Sequence, residues 1–240
     1  MKAPIFNKTN LMGTVLSLSA LAMSKSSLAA DIDIKVTNLT QGIYFTPLLV
    51  TAHSDDLSLY KVGMAASEDL QKVAEGGDIS GYTMTLSSTT ADVVENPAEG
   101  LLAPGMSVET SMMTMDANTH LSLVSMLLPT NDGFVGLNSW EIPTEVGTYT
   151  IYLNGYDAGT EANDEIINGG GMPGAAGIPV DPSGNNGTGA TGVTMEEATQ
   201  VVHIHRGNLG DDDIAGGHSD LDSRIHRWLN PVAKVTVTVK

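Results

Sequence analysis

Short runs in which apolar and polar residues alternate constrain the fold of this chain more than any other feature. The run 31–37 alternates Asp, Lys and Thr with Ile and Val, and the run 232–239 reads V-A-K-V-T-V-T-V. Alternation with a period of two places all the apolar side chains on one face of a β-strand. These runs therefore predict strands with one buried and one solvated face, which is typical of antiparallel sheets.

Further runs are rich in β-branched or alternating residues and are bounded by polar, glycine-bearing turns. They are residues 43–52, 82–87, 106–115, 121–128, 146–153 and 199–205. A single helix is predicted over 65–75, where Ser67 can cap the amino-terminal end and Gly76 and Gly77 end the helix. About eight strands and one short helix predict an all-β fold, a β-sandwich rather than an α/β fold.

Residues 1–30 have the order of a secretory signal peptide. Two lysines precede an apolar stretch at 11–23, and the small residues Ala29 and Ala30 follow. The alternative is a membrane anchor, but the apolar stretch is shorter than the ~20 residues that cross a bilayer, and it contains Gly, Ser and Thr. The sequence therefore predicts export, with cleavage after Ala29 or Ala30, and a secreted or periplasmic domain over 31–240.

The composition excludes several classes of partner and chemistry. The chain has 28 Asp and Glu against 11 Lys and Arg, a formal net charge of −17, so its surface repels nucleic acid. Binding to an anionic membrane is not expected unless calcium bridges the two negative surfaces. The chain has no cysteine, which excludes disulfides, thiolate metal sites and a cysteine nucleophile.

Residues 168–192 differ from the rest of the chain because glycine and proline dominate them. Such a composition does not sustain a strand or bury apolar surface, and it predicts a long flexible surface insertion. The alternative is a linker between two domains. The remainder, residues 193–240, contains too few strands to fold alone, so an insertion into one domain is favoured.

Acidic residues concentrate in three turn-rich segments at 127–134, 156–165 and 211–222. A hard divalent cation takes six to eight oxygen ligands, which loops at the end of a sandwich can supply, and calcium tolerates irregular geometry better than magnesium. The spacing is not that of an EF-hand loop. In so acidic a chain, neighbouring carboxylates that are merely solvated are the alternative interpretation.

Four segments carry a resemblance to a known family. They are N-L-T-Q-G from Asn38, P-T-N-D-G-F-V-G-L at 129–137, Y-D-A-G-T-E at 156–161 and N-P-V-A-K-V at 230–235. Over about residues 32–240 the chain resembles the spondin N-terminal domain family, and its bacterial secreted members in particular. The resemblance implies an eight-stranded antiparallel β-sandwich, similar to calcium-dependent lipid-binding modules, with a calcium ion at one end. Animal members are cell-adhesive matrix proteins and are not enzymes.

The same resemblance implies the ligands of the calcium ion. The acid of the P-x-x-D turn falls on Asp132, the first acid of D-A-G-T falls on Asp157, and the acid four positions later falls on Glu161. Animal members usually have Asp at this last position and Trp after the turn acid, where this chain has Glu161 and Gly133. The expected function is adhesion or binding to an extracellular or cell-surface partner.

A second hypothesis rests on His203 and His205, which end a predicted strand on the same face. Imidazoles at this spacing occur in zinc and copper sites, with His53, His218 or His226 as a conceivable third ligand. The alternative is that both rings form ordinary hydrogen bonds. A metal-dependent enzyme thus stays open beside the binding module, although the chain has no G-x-S-x-G elbow, phosphate loop or dinucleotide fingerprint.

Overall fold

The computed structural model describes residues 29–115, 117–213 and 215–240. The predicted signal peptide at 1–30 therefore lies almost entirely outside the described residues. Within the described ranges, no helix has the length and apolar character that a membrane span requires.

Two antiparallel sheets form the molecule, which confirms the predicted all-β sandwich. The described residues contain eleven strands and two helices. In chain order the strands are β1 (Asp31–Asn38), β2 (Tyr44–Phe45), β3 (Leu49–His53), β4 (Asp92–Glu95), β5 (Ser107–Met113), β6 (His120–Leu128), β7 (Gly133–Glu141), β8 (Gly147–Leu153), β9 (Gly155–Asp157), β10 (His203–Ile204) and β11 (Ala233–Val239). The four-stranded sheet has the order β5-β1-β11-β8, and the seven-stranded sheet has the order β10-β9-β7-β6-β3-β4, with β2 paired to β6.

The alternating runs at both ends of the chain pair with each other. Burial alternates along β1 and β11, and the register places Ile34 opposite Val237. Ile34, Val235 and Val237 are at most 1% exposed and lie in the main core between the sheets. The first and last described strands are thus neighbours in the centre of one sheet, as their hydrophobic faces predict.

The predicted helix is confirmed as α1 (Glu68–Gly76). Ser67 Oγ accepts a hydrogen bond from Leu70 N at 3.1 Å, and Gly77, at φ 69°, forms the left-handed carboxy-terminal cap. Leu70 and Val73 are fully buried, so the apolar stripe faces the core as expected.

The predicted strand at 82–87 is wrong, because this segment belongs to a second helix, α2 (Ser80–Ser87). Its β-favouring threonines suggest a strand, but Tyr82 and Leu86 are four residues apart and share one helical face. Both side chains are buried in a cluster with Leu70 of α1. The Tyr82 hydroxyl also donates to Leu59 O. Packing against α1 therefore overrides the local preference of the sequence.

The strands of the seven-stranded sheet differ most from the prediction. The run 43–52 is two strands, β2 and β3, and the run 199–205 contributes only β10. The whole of β7 was missed, since its glycines and continuous apolar start hide the period of two. Gly136 is needed there, because a Cβ atom at this position would lie 2.5 Å from the Tyr60 hydroxyl.

The segment 168–192 contains no helix or described strand, as predicted, but it does bury apolar surface. Ile178 is fully buried against Met126, Leu128 and Leu221, and it forms an isolated bridge with Ile167. The expectation that this composition cannot contribute to the core is therefore wrong at Ile178. The flexibility of the remaining residues stays a prediction.

Candidate metal site

The first wall of the candidate site is the turn 129–132 between β6 and β7. Thr130 holds this turn: its Oγ1 accepts a hydrogen bond from Gly133 N at 3.0 Å and donates to Leu127 O. A Cβ atom on Gly133 would lie 2.6 Å from Thr130 Oγ1. The turn therefore requires glycine where animal members of the resembling family have tryptophan, and it leaves Asp132 fully buried.

The second wall is the loop that follows β9. Asp157 lies opposite Gly133 in the β7–β9 ladder, so the two loops start side by side. Asp157 Oδ1 accepts a hydrogen bond from Gly159 N at 2.8 Å. Gly159 adopts φ 68°, and a Cβ atom there would lie 2.5 Å from Thr199 O. The D-A-G-T-E sequence thus describes a turn that a side chain at position 159 would break.

Asp132 joins the two walls through one of its carboxylate oxygens. Asp132 Oδ2 accepts hydrogen bonds from Thr160 N at 2.7 Å, from Thr160 Oγ1 at 3.1 Å and from Glu161 N at 3.3 Å. The loop after β9 is therefore wrapped around this carboxylate. The segments 127–134 and 156–165 meet as the sequence predicts.

The other oxygen of Asp132 and one oxygen of Glu161 have no partner. Asp132 Oδ1 and Glu161 Oε1 are both buried and form no hydrogen bond. The side chains are 0% and 7% exposed, and neither forms an ion pair with a described residue. Buried carboxylate oxygens are normally satisfied, so these two oxygens are the atoms of the site that are free to bind a proton or a cation.

Burial disfavours the charged form of both carboxyl groups. It raises the pKa of Asp132 to about 7, and the negative charge of Asp157 adds to this shift against hydrogen bonds from the 160–161 segment. Burial likewise raises the pKa of Glu161 to about 8, together with the charges of Asp132 and Glu75 and against hydrogen bonding by Gly177 N and the Asn131 side chain. A bound cation would reverse both shifts, because it stabilises the ionised carboxylates.

The glycine-rich segment 168–192 is bound by two buried glutamates of this site, Glu75 and Glu161. Glu161 Oε2 accepts a hydrogen bond from Gly177 N at 2.7 Å, and Glu75 Oε2 accepts one from Gly174 N at 2.6 Å. Glu75 is fully buried in the last turn of α1, and its Oε1 accepts a hydrogen bond from Gln71 Nε2 at 2.7 Å. Two buried glutamates from different elements therefore hold the same short piece of chain.

Asp157 differs from the other two predicted ligands because both of its oxygens are occupied. Besides the bond from Gly159, Asp157 Oδ2 accepts a hydrogen bond from Asn163 Nδ2 at 2.7 Å and lies 3.8 Å from His203 Nε2. Across the described ranges, no three Asp, Glu, His or Cys side chains are grouped so that they could hold a metal ion. A cation here would need further oxygen ligands, such as backbone carbonyls and water.

The third acidic segment does not join the cluster. Asp211 accepts hydrogen bonds from His218 N and Ser219 N, and Asp220 accepts them from Thr188 N and Ile167 N. These aspartates line a separate pocket of about 220 Å³. Their oxygens hold the carboxy-terminal loops together. The segment 211–222 does contact the segment 156–165, because Ser219 Oγ donates to Glu165 Oε2 at 2.6 Å, but its aspartates form these bonds with other loops.

Hydrogen bonds account for His205. Gly207 N donates to Nδ1 at 2.9 Å, so the proton of the neutral ring lies on Nε2, 3.0 Å from Asn163 Oδ1. Burial lowers the pKa of His205 to about 4, against the attraction of Asp157, which favours this neutral ring. His203 Nδ1 lies 2.8 Å from Val201 O. This arrangement is the ordinary hydrogen-bonded alternative rather than an open pair of metal ligands.

Sequence reasoning missed three participants, Glu75, Gly174 and Gly177. Glu75 did leave a signal, because an acidic side chain in the last turn of a helix opposes the helix dipole and suggests another role. The two glycines contribute only backbone N–H groups, so no side-chain pattern identifies them.

The raised pKa values predict how stability depends on pH in the metal-free protein. Between pH 6.5 and 8 the unfolded chain has ionised carboxyl groups, whereas folded Asp132 and Glu161 still bind protons. The folded state therefore binds more protons, and the free energy of unfolding should fall as the pH rises. The fall is at most about 1.4 kcal/mol per pH unit for each group, and it is half of that when the pH equals the pKa of the folded group, about 7 for Asp132 and about 8 for Glu161. Urea unfolding in chelator across this range measures the slope. An Asp132→Asn, Glu161→Gln double variant should lack it, and an equal slope in both proteins would contradict the assignment.

The structure thus defines an all-β sandwich with buried, uncompensated carboxylates in the loops at one end. Comparison with protein-family models matches the Spondin_N family over residues 37–165, more than half of the chain. The chain belongs to the spondin N-terminal domain family, an extracellular-type domain. No curated protein matches the chain. The family match ends at Glu165, yet β11 beyond it lies between β1 and β8 in the four-stranded sheet.

Proposed function

We propose that this protein is a secreted, non-enzymatic calcium-binding module for adhesion or for binding an extracellular or periplasmic partner. The observation that carries the proposal is the pair of buried, unpartnered oxygens, Asp132 Oδ1 and Glu161 Oε1. Both are hard ligands in a site without a compensating cationic side chain, and calcium prefers such oxygens. Backbone carbonyl oxygens and water would complete the ligands, because no third acidic or histidine side chain of the described residues is grouped with these two, and both oxygens of Asp157 already accept hydrogen bonds.

The burial of these groups favours binding over catalysis. Asp132 is fully buried, and Glu161 is covered by the glycine-rich segment through Gly177 N. A general acid or base must reach the atoms of a substrate, whereas an ion needs only a path for entry. A calcium ion would neutralise part of the acidic loop cluster and bind the turn 129–132 to the loop 157–161.

Calcium would also connect the site to a partner. An ion that binds only the folded state stabilises the folded state. Loops that the ion holds in place would present a defined surface to a partner. At a net charge of −17, the ion also lowers repulsion toward acidic cell-surface molecules. The zinc or copper alternative at His203 and His205 receives no such support, because both ring nitrogens of His205 have hydrogen-bond partners.

Direct titration tests the proposal. Isothermal calorimetry of the chelator-treated chain should show one calcium ion per chain, with proton release near pH 7 because Asp132 and Glu161 must ionise. Melting temperatures in calcium, zinc, copper and chelator should rise with calcium. No heat and no shift with calcium would refute the site. Stoichiometric zinc or copper that is lost in His203→Ala would favour the alternative instead.

A further inference from the structure

Neither edge of the four-stranded sheet, β5 or β8, has a further partner strand among the described residues, and β8 is the edge without a charged residue. Its inner side pairs with β11 along the whole strand. On its outer side, no described residue forms a hydrogen bond with the backbone of Thr148, Thr150 or Tyr152. An unpaired edge of this kind is a template for pairing with another strand.

The ladder identifies which backbone groups point outward. Lys240, which directly follows β11, donates through its backbone N to Asp31 O at 3.0 Å. Hydrogen-bonded pairs alternate along an antiparallel ladder, so the even-numbered residues of β11 bond to β1 and the odd-numbered residues bond to β8. Their partners in β8 are the odd-numbered residues 147, 149, 151 and 153. Thr148, Thr150 and Tyr152 therefore direct both their N–H and C=O groups to the open edge.

This outward set is symmetric about Thr150, which makes it complementary to itself. In an antiparallel pair of two β8 strands centred on Thr150, Thr148 of each copy lies opposite Tyr152 of the other. About six backbone hydrogen bonds then form without a register shift. On the inner face, Tyr149 lies opposite Ile151 of the other copy, an aromatic and β-branched pair that stabilises sheets. Both of these side chains are only half-buried in one copy.

Charge distinguishes this edge from β5 and β4, and the remaining edge strand, β10, has only two residues. The segment 146–154 contains no charged residue in a chain of net charge −17. The opposite edge strand β5 carries Glu109, and the edge strand β4 contains Asp92 and Glu95. Acids facing each other across an edge repel, and natural proteins use charge to prevent such pairing. Two copies of this acidic chain can approach most closely through β8.

Side chains beside the edge add apolar surface. A groove of about 420 Å³ lies between β8 and the other sheet, lined by residues that include Tyr60, Val62 and Tyr156. Val62 and Tyr152 are 57% and 62% exposed. We propose that β8 pairs with β8 of a second copy about a two-fold axis at Thr150, joining the two four-stranded sheets into one of eight strands.

Sedimentation or light scattering of the purified chain tests this proposal, in chelator so that calcium cannot bridge two copies. The unmodified chain should form a dimer with a dissociation constant no higher than about 1 mM. Thr150→Asp and Thr150→Lys each place like charges directly opposite across the axis, so each should weaken dimerisation at least about tenfold. A mixture of the two variants should restore the dimer, because the charges are then opposite.

Thr236 provides the matched control. It lies opposite Thr150 on the adjacent inner strand, with its side chain on the same face. In the proposed dimer the two Thr236 residues are three strand spacings apart, about 14 Å, where salt screens their interaction. Thr236→Asp and Thr236→Lys should therefore dimerise like the unmodified chain. A monomer at every concentration, or a dimer that the Thr150 variants leave unchanged, would overturn the proposal; neither result bears on the calcium site.

Discussion

Asp132→Asn should abolish the stabilisation of the protein by calcium. In calcium at one thousand times the dissociation constant the unmodified chain should gain about 4.1 kcal/mol, and the variant should gain nothing. The reason is that Asp132 Oδ1 is one of the two unpartnered oxygens, and an amide supplies no negative charge to the ion.

The same substitution should stabilise the protein when calcium is absent. Asparagine keeps an oxygen that can accept the hydrogen bonds from Thr160, and it removes a buried charge that has no cationic partner. Removal of such a charge is worth about 1–3 kcal/mol at neutral pH. The order of the two stabilities should therefore invert between chelator and calcium, which a simple loss of folding does not produce.

Urea unfolding at pH 7.5 in chelator and in calcium measures both effects. Asp212→Asn is the matched control, because it removes the same charge from an exposed residue of the third acidic segment. The control should respond to calcium like the unmodified chain. An equal calcium gain in Asp132→Asn would show that the ion binds elsewhere.

Phe134→Ala should cost about 3–5 kcal/mol of unfolding free energy. Phe134 is fully buried in β7, two residues beyond Asp132, and its ring packs edge-on against Tyr60 with 5.0 Å between the ring centroids. Tyr156 of β9 stacks on it with centroids 5.5 Å apart. The substitution leaves a cavity beside Tyr60 and Tyr156 that the surrounding side chains would have to fill.

This substitution tests the strand that the sequence pattern did not reveal. If residues 133–141 were a surface turn, the loss of one apolar side chain would change stability by less than about 0.5 kcal/mol. Met84→Ala is the control, since Met84 is 74% exposed on α2 and should show only this small change. The midpoint of urea unfolding should fall for Phe134→Ala with an unchanged slope, and a small effect would contradict the central position of β7.

One part of the candidate site can be predicted from short sequence segments, and the other part depends on residues that lie far apart along the chain. The resemblance placed Asp132, Asp157 and Glu161 in two segments that the structure does bring together, and the local D-A-G-T-E turn is visible in the sequence. Glu75 and Gly177 come from an α-helix and a glycine-rich segment, far from these residues along the chain. The contacts between the glutamates and the glycine-rich segment are made by backbone N–H groups. Every residue except proline has such a group, so no sequence pattern predicts these contacts.

The predicted strands show where periodicity is reliable. β1 and β11 each have one solvated face, so the alternation of Ile and Val with polar residues determines their orientation. β6 and β7 are buried on both faces over most of their length, and there the period disappears from the sequence. β6 was still recognised as an apolar run, whereas the glycines of β7 concealed it.

The sequence by itself determined the β-sandwich class, the capped helix α1 and the two acidic turns, because each depends on the preferences of neighbouring residues. The tertiary structure alone decided that residues 80–87 are helical, that β7 is central, and that the glycine-rich segment binds Glu75 and Glu161. These features depend on which surfaces are buried against one another and on which polar atoms then lose water. Burial is a property of the folded whole, so no local segment records it.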